Sequence, residues 1–245
     1  MFTCTVVALL AASGGPDAGA PPAEGEALVW AAAGSLPDSV RQLQDAQSGL
    51  RLFEDLKVFS FAPGFPRTVE SGSFPGMKAG VQLTLLGVCP AAATAPLLAL
   101  FRSVNPEAAL LHVKAPPDAC PAIEPSARVT HTEQLAAGRG KLVMSRITWR
   151  KSAILRATLW NDAWQLSQAE YWGEGAALQT RGDAQACPGD FRMDAGAFRF
   201  ASCGECLNET CCTQGRFQMA VRPGKAGALS IDRALASSRR VCDGG

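Results

Sequence analysis

The chain has 245 residues, 23 Lys/Arg against 22 Asp/Glu for a formal net charge of +1, and 47% hydrophobic residues. That length suits two modest domains or one large one. Nearly balanced, mixed charge gives no argument for nucleic acid or an anionic membrane surface as a partner, and the apolar content excludes wholesale disorder.

Met1 to Ala20 reads as an export signal. Thr5 to Ala12 forms a short apolar stretch, and small residues follow as cleavage sites at Ser13 or Ala20. No Lys or Arg precedes the apolar stretch, and the competing reading is a buried first strand or helix. Export predicts a secreted or periplasmic protein. No apolar run approaches the roughly 18 residues a spanning helix needs, so no transmembrane segment is expected. Residues 21–27 are a Pro/Ala/Gly-rich linker.

Residues 28–115 read as an α+β domain built from two related units. In the stronger one, the alternating run Val81 to Gly87 leads through Pro90 into an apolar stretch of helical length and then to the strand-like run Ala109 to Val113. Laying Gly34 on Gly87 sets Leu28 on Val81, Trp30 on Leu83 and Pro37 on Pro90. Both prolines sit where a helix would start, a place suited to their fixed φ and missing donor. After Pro37, Val40 and Leu43 have helical spacing, and Leu52 to Phe61 gives a second extended run. The order is β-α-β-β-α-β, which predicts a four-stranded antiparallel sheet with two helices on one face. The strands at Leu28–Ala33 and Val81–Leu86 are expected side by side, with Trp30 and Leu83 in the same core. Ala62 to Gly80 is expected to be a Gly/Pro-rich link.

The segments VWAAAGS, PRTVESGSFPGMKAGVQLTLLG and ALLHV, with a helix between each pair, resemble a divergent SPOR (sporulation-related repeat) domain. The resemblance covers residues 28 to 115. It implies the β-α-β-β-α-β fold and binding of peptidoglycan glycan on the open sheet face. Where that family often carries glutamine, this chain has Ala32 and Leu85. Lys78, Gln82 and Thr84 are the polar residues expected on or beside the solvent face, and they are the candidate glycan-binding set.

Residues 116–135 read as a second linker, with His131 to Ala137 a helical or irregular lead-in. From 136 to 245 the pattern changes to short extended runs: Lys141–Trp149, Ala153–Trp160, Trp164–Tyr171, Phe191–Met193, Ala197–Ala201, Arg216–Val221 and Ala228–Ile231. Phe198 and Phe200 alternate, as do Phe217, Met219 and Val221, which a sheet with one buried face requires. An antiparallel, cysteine-rich β domain is expected, ending in a tail from Arg239.

Without the signal eight cysteines remain: Cys89, Cys120, Cys187, Cys203, Cys206, Cys211, Cys212 and Cys242. An even number in an exported chain points to disulfides. The competing reading is a metal site, because Cys203 and Cys206 have C-x-x-C spacing and Cys211–Cys212 follow. Adjacent cysteines fit a tetrahedral site poorly, so neither metal nor cofactor is expected. Cys89 follows the third strand and Cys120 lies just past the fourth. Those two strands run in the same direction, so a Cys89–Cys120 bridge is expected, with the other six pairing among themselves.

Catalytic patterns are missing. His112 and His131 fall in different elements, no G-x-S-x-G occurs, and Gly138-Arg-Gly-Lys141 lacks the flanking residues of a phosphate loop. The expectation is a non-catalytic envelope-binding protein whose partner is peptidoglycan glycan or another envelope protein. The alternatives are an interaction or adhesion protein without sugar binding, and a hydrolase with its site in the β domain.

Overall fold

The structure, a computed structural model, describes residues 24–174, 191–206 and 212–241. Among these are two long helices and four antiparallel sheets, one of them a two-stranded ribbon, so the class is α+β with strands dominant.

The chain enters through β1 (Gly25–Ala33) and turns into α1 (Leu36–Asp55). Ser35 caps that helix: its Oγ accepts from the Asp38 N–H at 3.3 Å, and Pro37 occupies the first turn, where a missing N–H breaks no bond. Ala46, Leu50 and Phe53 extend the apolar row to the helix end. This overturns the expectation that Leu52 begins a strand. The row continues at helical spacing through Asp55, and only Phe59–Ser60 (β2) is extended, pairing with Ala122–Ile123 (β6) in the ribbon. The strand that joins the main sheet is β3 (Arg67–Glu70), inside the segment expected to be a link.

Then follow β4 (Gln82–Cys89), α2 (Ala91–Arg102) and β5 (Ala109–Val113). The first sheet has the order β3-β4-β1-β5, with every neighbouring pair antiparallel. β1 and β4 lie side by side at its centre, as expected. Trp30 and Leu83 do not share a core. Leu28, Trp30 and Leu86 face the helices, whereas Val29, Leu83 and Leu85 face the other way, under Phe65, Phe74 and Met77 of the 61–80 segment. β4 is apolar on both sides, so its alternation could not tell one face from the other.

Cys89 and Cys120 form a disulfide with Cα atoms 4.5 Å apart. Beside it, the Val88 N–H donates to Ala119 O at 3.0 Å. A Cβ at Gly87 would stand 2.5 Å from Ala119 O, so only glycine lets the two chain segments meet there.

The stretch expected to be a linker carries structure. β6 lies in it, and β7 (Arg128–Ala137) is a full strand whose alternate residues are exposed. Its sequence, RVTHTEQLAA, alternates polar with small or apolar residues, which is the signature of an edge strand with one wet face. β7 pairs with β8 (Gly140–Trp149), β8 with β9 (Ser152–Trp160), and β9 with β10 (Leu166–Glu174). The third sheet runs β11 (Arg192–Asp194), β12 (Ala197–Cys206), β13 (Cys212–Pro223) and β14 (Leu229–Val241). β14 runs into the expected tail as far as Val241.

The layers stack in the order first sheet, helices, second sheet, third sheet. Trp30, Phe53, Leu97 and Phe101 pack with Val143, Ile147, Ile154 and Trp160 in one core that crosses the boundary expected near residue 116. On the other side of the second sheet, Leu142, Met144, Leu155 and Ala157 pack against Phe198, Phe200, Phe217 and Met219. β9 is therefore buried at every position. Each fully buried Leu or Phe side chain in these layers contributes roughly 1.5–3 kcal/mol.

Candidate functional site

Of the residues expected to bind glycan, Thr84 is fully buried. It lies between Ala31 and Thr68, and its hydroxyl has no partner. This corrects its expected place on the solvent face: it alternates with Leu83 and Leu85 and so points toward the helix side. Gln82 is half-buried beside Ala33 and Glu70. Lys78 is exposed on the segment whose Phe74 and Met77 cover the opposite face. The three are not gathered into one site. Cys187, Cys211 and Cys242 lie outside the described residues, as do the side chains of Cys203, Cys206 and Cys212.

His112, on β5, stands 3.0 Å from Glu26 Oε1 and 3.6 Å from Glu24, and the Glu26 hydrogen bond raises its pKa. His131 meets Glu133 at 2.8 Å and lies edge-on to Phe191. Among the described residues, no three His, Cys, Asp or Glu side chains are grouped to hold a metal ion. Arg156, in the middle of β9, is fully buried with its guanidinium 5.1 Å from the Phe53 ring, and its Nε and Nη1 have no partner. Burial lowers its pKa to about 10, so it stays charged at neutral pH.

Among the described residues, solvent reaches a wide depression and a smaller cavity. The wider depression, about 800 Å³, lies beside the turns at Gly138 and Gly227. Its polar groups are already engaged by the chain. Asp162 Oδ1 accepts from the N–H groups of Arg139 and Gly140, and the Ser167 hydroxyl donates to Gly227 O.

The second cavity, about 400 Å³, is different in kind. It opens where the end of β1, one face of α1, the turn after α2 and the β9–β10 turn converge. Trp30 and Trp160 form its apolar wall, with ring centroids 5.9 Å apart, and Trp164 continues it at 6.4 Å from Trp160. Trp160 is fixed by Nε1 donating to Val104 O at 2.8 Å. Trp164 is held in an unusual backbone conformation, φ +54°, which for a bulky residue stores strain. The Asn161 side chain holds that turn by accepting from the N–H groups of Ala163 and Gln165 at 2.9 and 3.0 Å.

Gln42 and Asp45, three residues apart on α1, share a helix face at the cavity. Gln42 Nε2 donates to Ala32 O, while its Oε1 is buried with no partner. The Asp45 carboxylate accepts from the Leu166 backbone N–H, yet Oδ2 is buried and unpartnered. Burial pushes its pKa up, against the opposing pull of the Leu166 N–H and the Arg41 charge. Asn105 donates to Trp30 O at 2.7 Å and accepts from the Glu107 N–H at 3.1 Å. At the rim, Lys141 Nζ lies 3.2 Å from Glu107 and 5.2 Å from the centre of the Trp164 ring.

Neither histidine lines this cavity, and Asp45 and Glu107 are its carboxylates. Aromatic walls with a few placed polar groups are the makings of a small-ligand binding site. Sequence reading missed the set because its members come from four distant segments. The one local signal was the pair of tryptophans flanking the Asn161-Asp162 turn, since large apolar residues are uncommon at turn tips.

Compared with family models, with characterised proteins and with solved structures, the chain matches none.

Proposed function

We propose that the protein is a non-catalytic, exported binding protein of the cell envelope that takes up a small polar ligand in the tryptophan-walled cavity. Two unpartnered buried acceptors on residues that line one cavity, Asp45 Oδ2 and Gln42 Oε1, carry this reading. An unserved buried polar atom destabilises a fold by about 1–3 kcal/mol, so a pair at one site points to a partner that arrives from outside. The Cys89–Cys120 disulfide supports an oxidising compartment, where such bonds persist. Peptidoglycan glycan remains the ligand implied by the SPOR-like segments. Phe74 and Met77 roof the sheet face on which that family binds sugar, so on this reading a sugar unit enters the cavity instead.

The test is a tryptophan-fluorescence and melting-curve titration of the full chain with N-acetylglucosamine, n-butylamine and glycine betaine, beside retention on purified sacculi. At least one compound is expected to saturate the fluorescence change and raise the melting temperature, with both effects lost in Trp164→Ala. A flat response to every compound, with no retention on sacculi, overturns the proposal.

A further inference from the structure

The second sheet ends on β7, whose outer edge pairs with no strand among the described residues. Ten residues is long for an edge, and an open row of N–H and C=O groups invites pairing with another strand. Proteins that stay single block such an edge with Pro, Lys or an isolated charge. β7 has no Pro or Lys, and from Thr130 to Ala137 its titratable side chains are His131 and Glu133, which bond each other at 2.8 Å. Thr130, Thr132, Gln134 and Ala136 are exposed, and the side chains of His131 and Glu133 are 39% and 34% exposed, so the stretch is open to a partner.

The order of the residues selects that partner. Outward from Thr132, the strand gives complementary side chains in both directions: His131 against Glu133, then Thr130 against Gln134. Antiparallel pairing with β7 of a second copy, about a two-fold axis at Thr132, sets each of these opposite its complement. His131 faces Glu133 of the second copy and Glu133 faces its His131, while Thr132 faces Thr132. Opposite-charge and Thr–Thr pairs across strands stabilise a sheet, and like charges directly opposite destabilise it. Neighbouring registers fail on that ground. An axis at Glu133 opposes two carboxylates, one at His131 opposes two imidazoles, and one at Gln134 sets Glu133 against Leu135. The bulge between Val129 and His131 turns the strand away beyond that point, so contact is confined to about five residues per chain. An interface of that size belongs to the weak, transient class.

We propose that β7 is a homodimerisation edge: two copies pair antiparallel through Thr130 to Gln134 and join their second sheets across a two-fold axis at Thr132.

Sedimentation velocity of the full chain over a hundredfold range of concentration tests this. A monomer–dimer equilibrium is expected toward the upper end. His131→Glu sets carboxylate against carboxylate and is expected to weaken the dimer at least tenfold. The double variant His131→Glu/Glu133→Lys restores opposite charges in swapped order and is expected to return within threefold of wild type. Thr132→Asp, a change at an exposed position that faces two carboxylates on the axis, is a second disruptive variant with a loss of at least tenfold. Melting curves of each variant are expected to stay cooperative, since all three positions lie on the open edge. A chain that is monomeric at every concentration overturns the proposal. A dimer that neither His131→Glu nor Thr132→Asp weakens also overturns it, because the contact then lies elsewhere. If the single variants weaken the dimer and the double variant does not recover it, the pairing about Thr132 is wrong.

Discussion

The ring of Trp160, the last residue of β9, stands 5.9 Å from that of Trp30 in β1, at an interplanar angle of 50°. Two indoles from distant parts of the chain thus meet at the end of the helix layer. The cavity wall exists only because the first and second sheets clasp the helices between them.

Asp45→Asn is expected to stabilise the ligand-free protein at neutral pH, by about 1 kcal/mol, because it removes a desolvated charge. The sign follows from the pKa. Burial raises the Asp45 value above its ordinary 3.8, so the native state holds the proton more tightly than the unfolded chain. Wild-type stability therefore rises as pH falls through the raised value toward 3.8 and is diminished above it. Melting curves at pH 7 and pH 3.5 should show the variant's advantage at the first and little at the second. An equal difference at both would show that charge is not the cause.

Breaking the Cys89–Cys120 bridge is expected to lower stability by about 3 kcal/mol, since it closes a loop with a sequence separation of 31. Urea denaturation of Cys120→Ser measures it. If the variant unfolds at the same urea concentration as the wild type, the bridge adds nothing.

His112 is expected to confer a pH-dependent increment. Its pKa is raised, chiefly by the Glu26 hydrogen bond, so the contribution is full below 6.5 and is lost as pH rises through the raised folded value. His112→Gln should melt below the wild type at pH 5.5 and level with it at pH 9. The exposed setting keeps the effect small.

Arg156→Met is expected to be neutral or to stabilise by 1–3 kcal/mol, as seen when an apolar side chain of similar reach replaces a buried charge. Arg156 Nε and Nη1 have no partner, and the Phe53 ring is its aromatic neighbour. Phe53→Ala, by contrast, should lose about 3–5 kcal/mol through the cavity it leaves. Chemical denaturation compares the two. A loss above 3 kcal/mol for Arg156→Met would mean that the charge itself holds the layers together.

Much of the frame was legible where local physics acts alone. Pro37 and Pro90 mark the starts of α1 and α2, where proline's fixed φ and missing donor fit, and Gly34 follows the end of β1; Gly87 does not end its strand, since β4 runs on to Cys89, and Pro96 lies inside α2. Alternating Phe198 and Phe200 mark β12, and Phe217, Met219 and Val221 mark β13. The errors arose where two faces are buried or a helix row runs on. Leu52 and Phe53 suit a strand or the end of α1, and the row through Leu50 makes the helix win. Thr84 looked like a surface residue because threonine is at home on wet strands, but β4 is covered on both sides. The cavity was illegible for another reason: Gln42, Asp45, Asn105 and Trp164 become neighbours only when separate segments pack, and no spacing in the sequence encodes that meeting.

The sharing of one core between the two halves also bears on synthesis. The apolar side of α1 and α2 that meets Ile147, Ile154 and Trp160 has no cover until β8 and β9 have been made. A nascent chain that has reached only Ala115 carries its first sheet and both helices with that side bare to water, a sticky surface awaiting its lid. A fragment cut at the apparent boundary is expected to aggregate more readily than the full chain, which light scattering of the two would show.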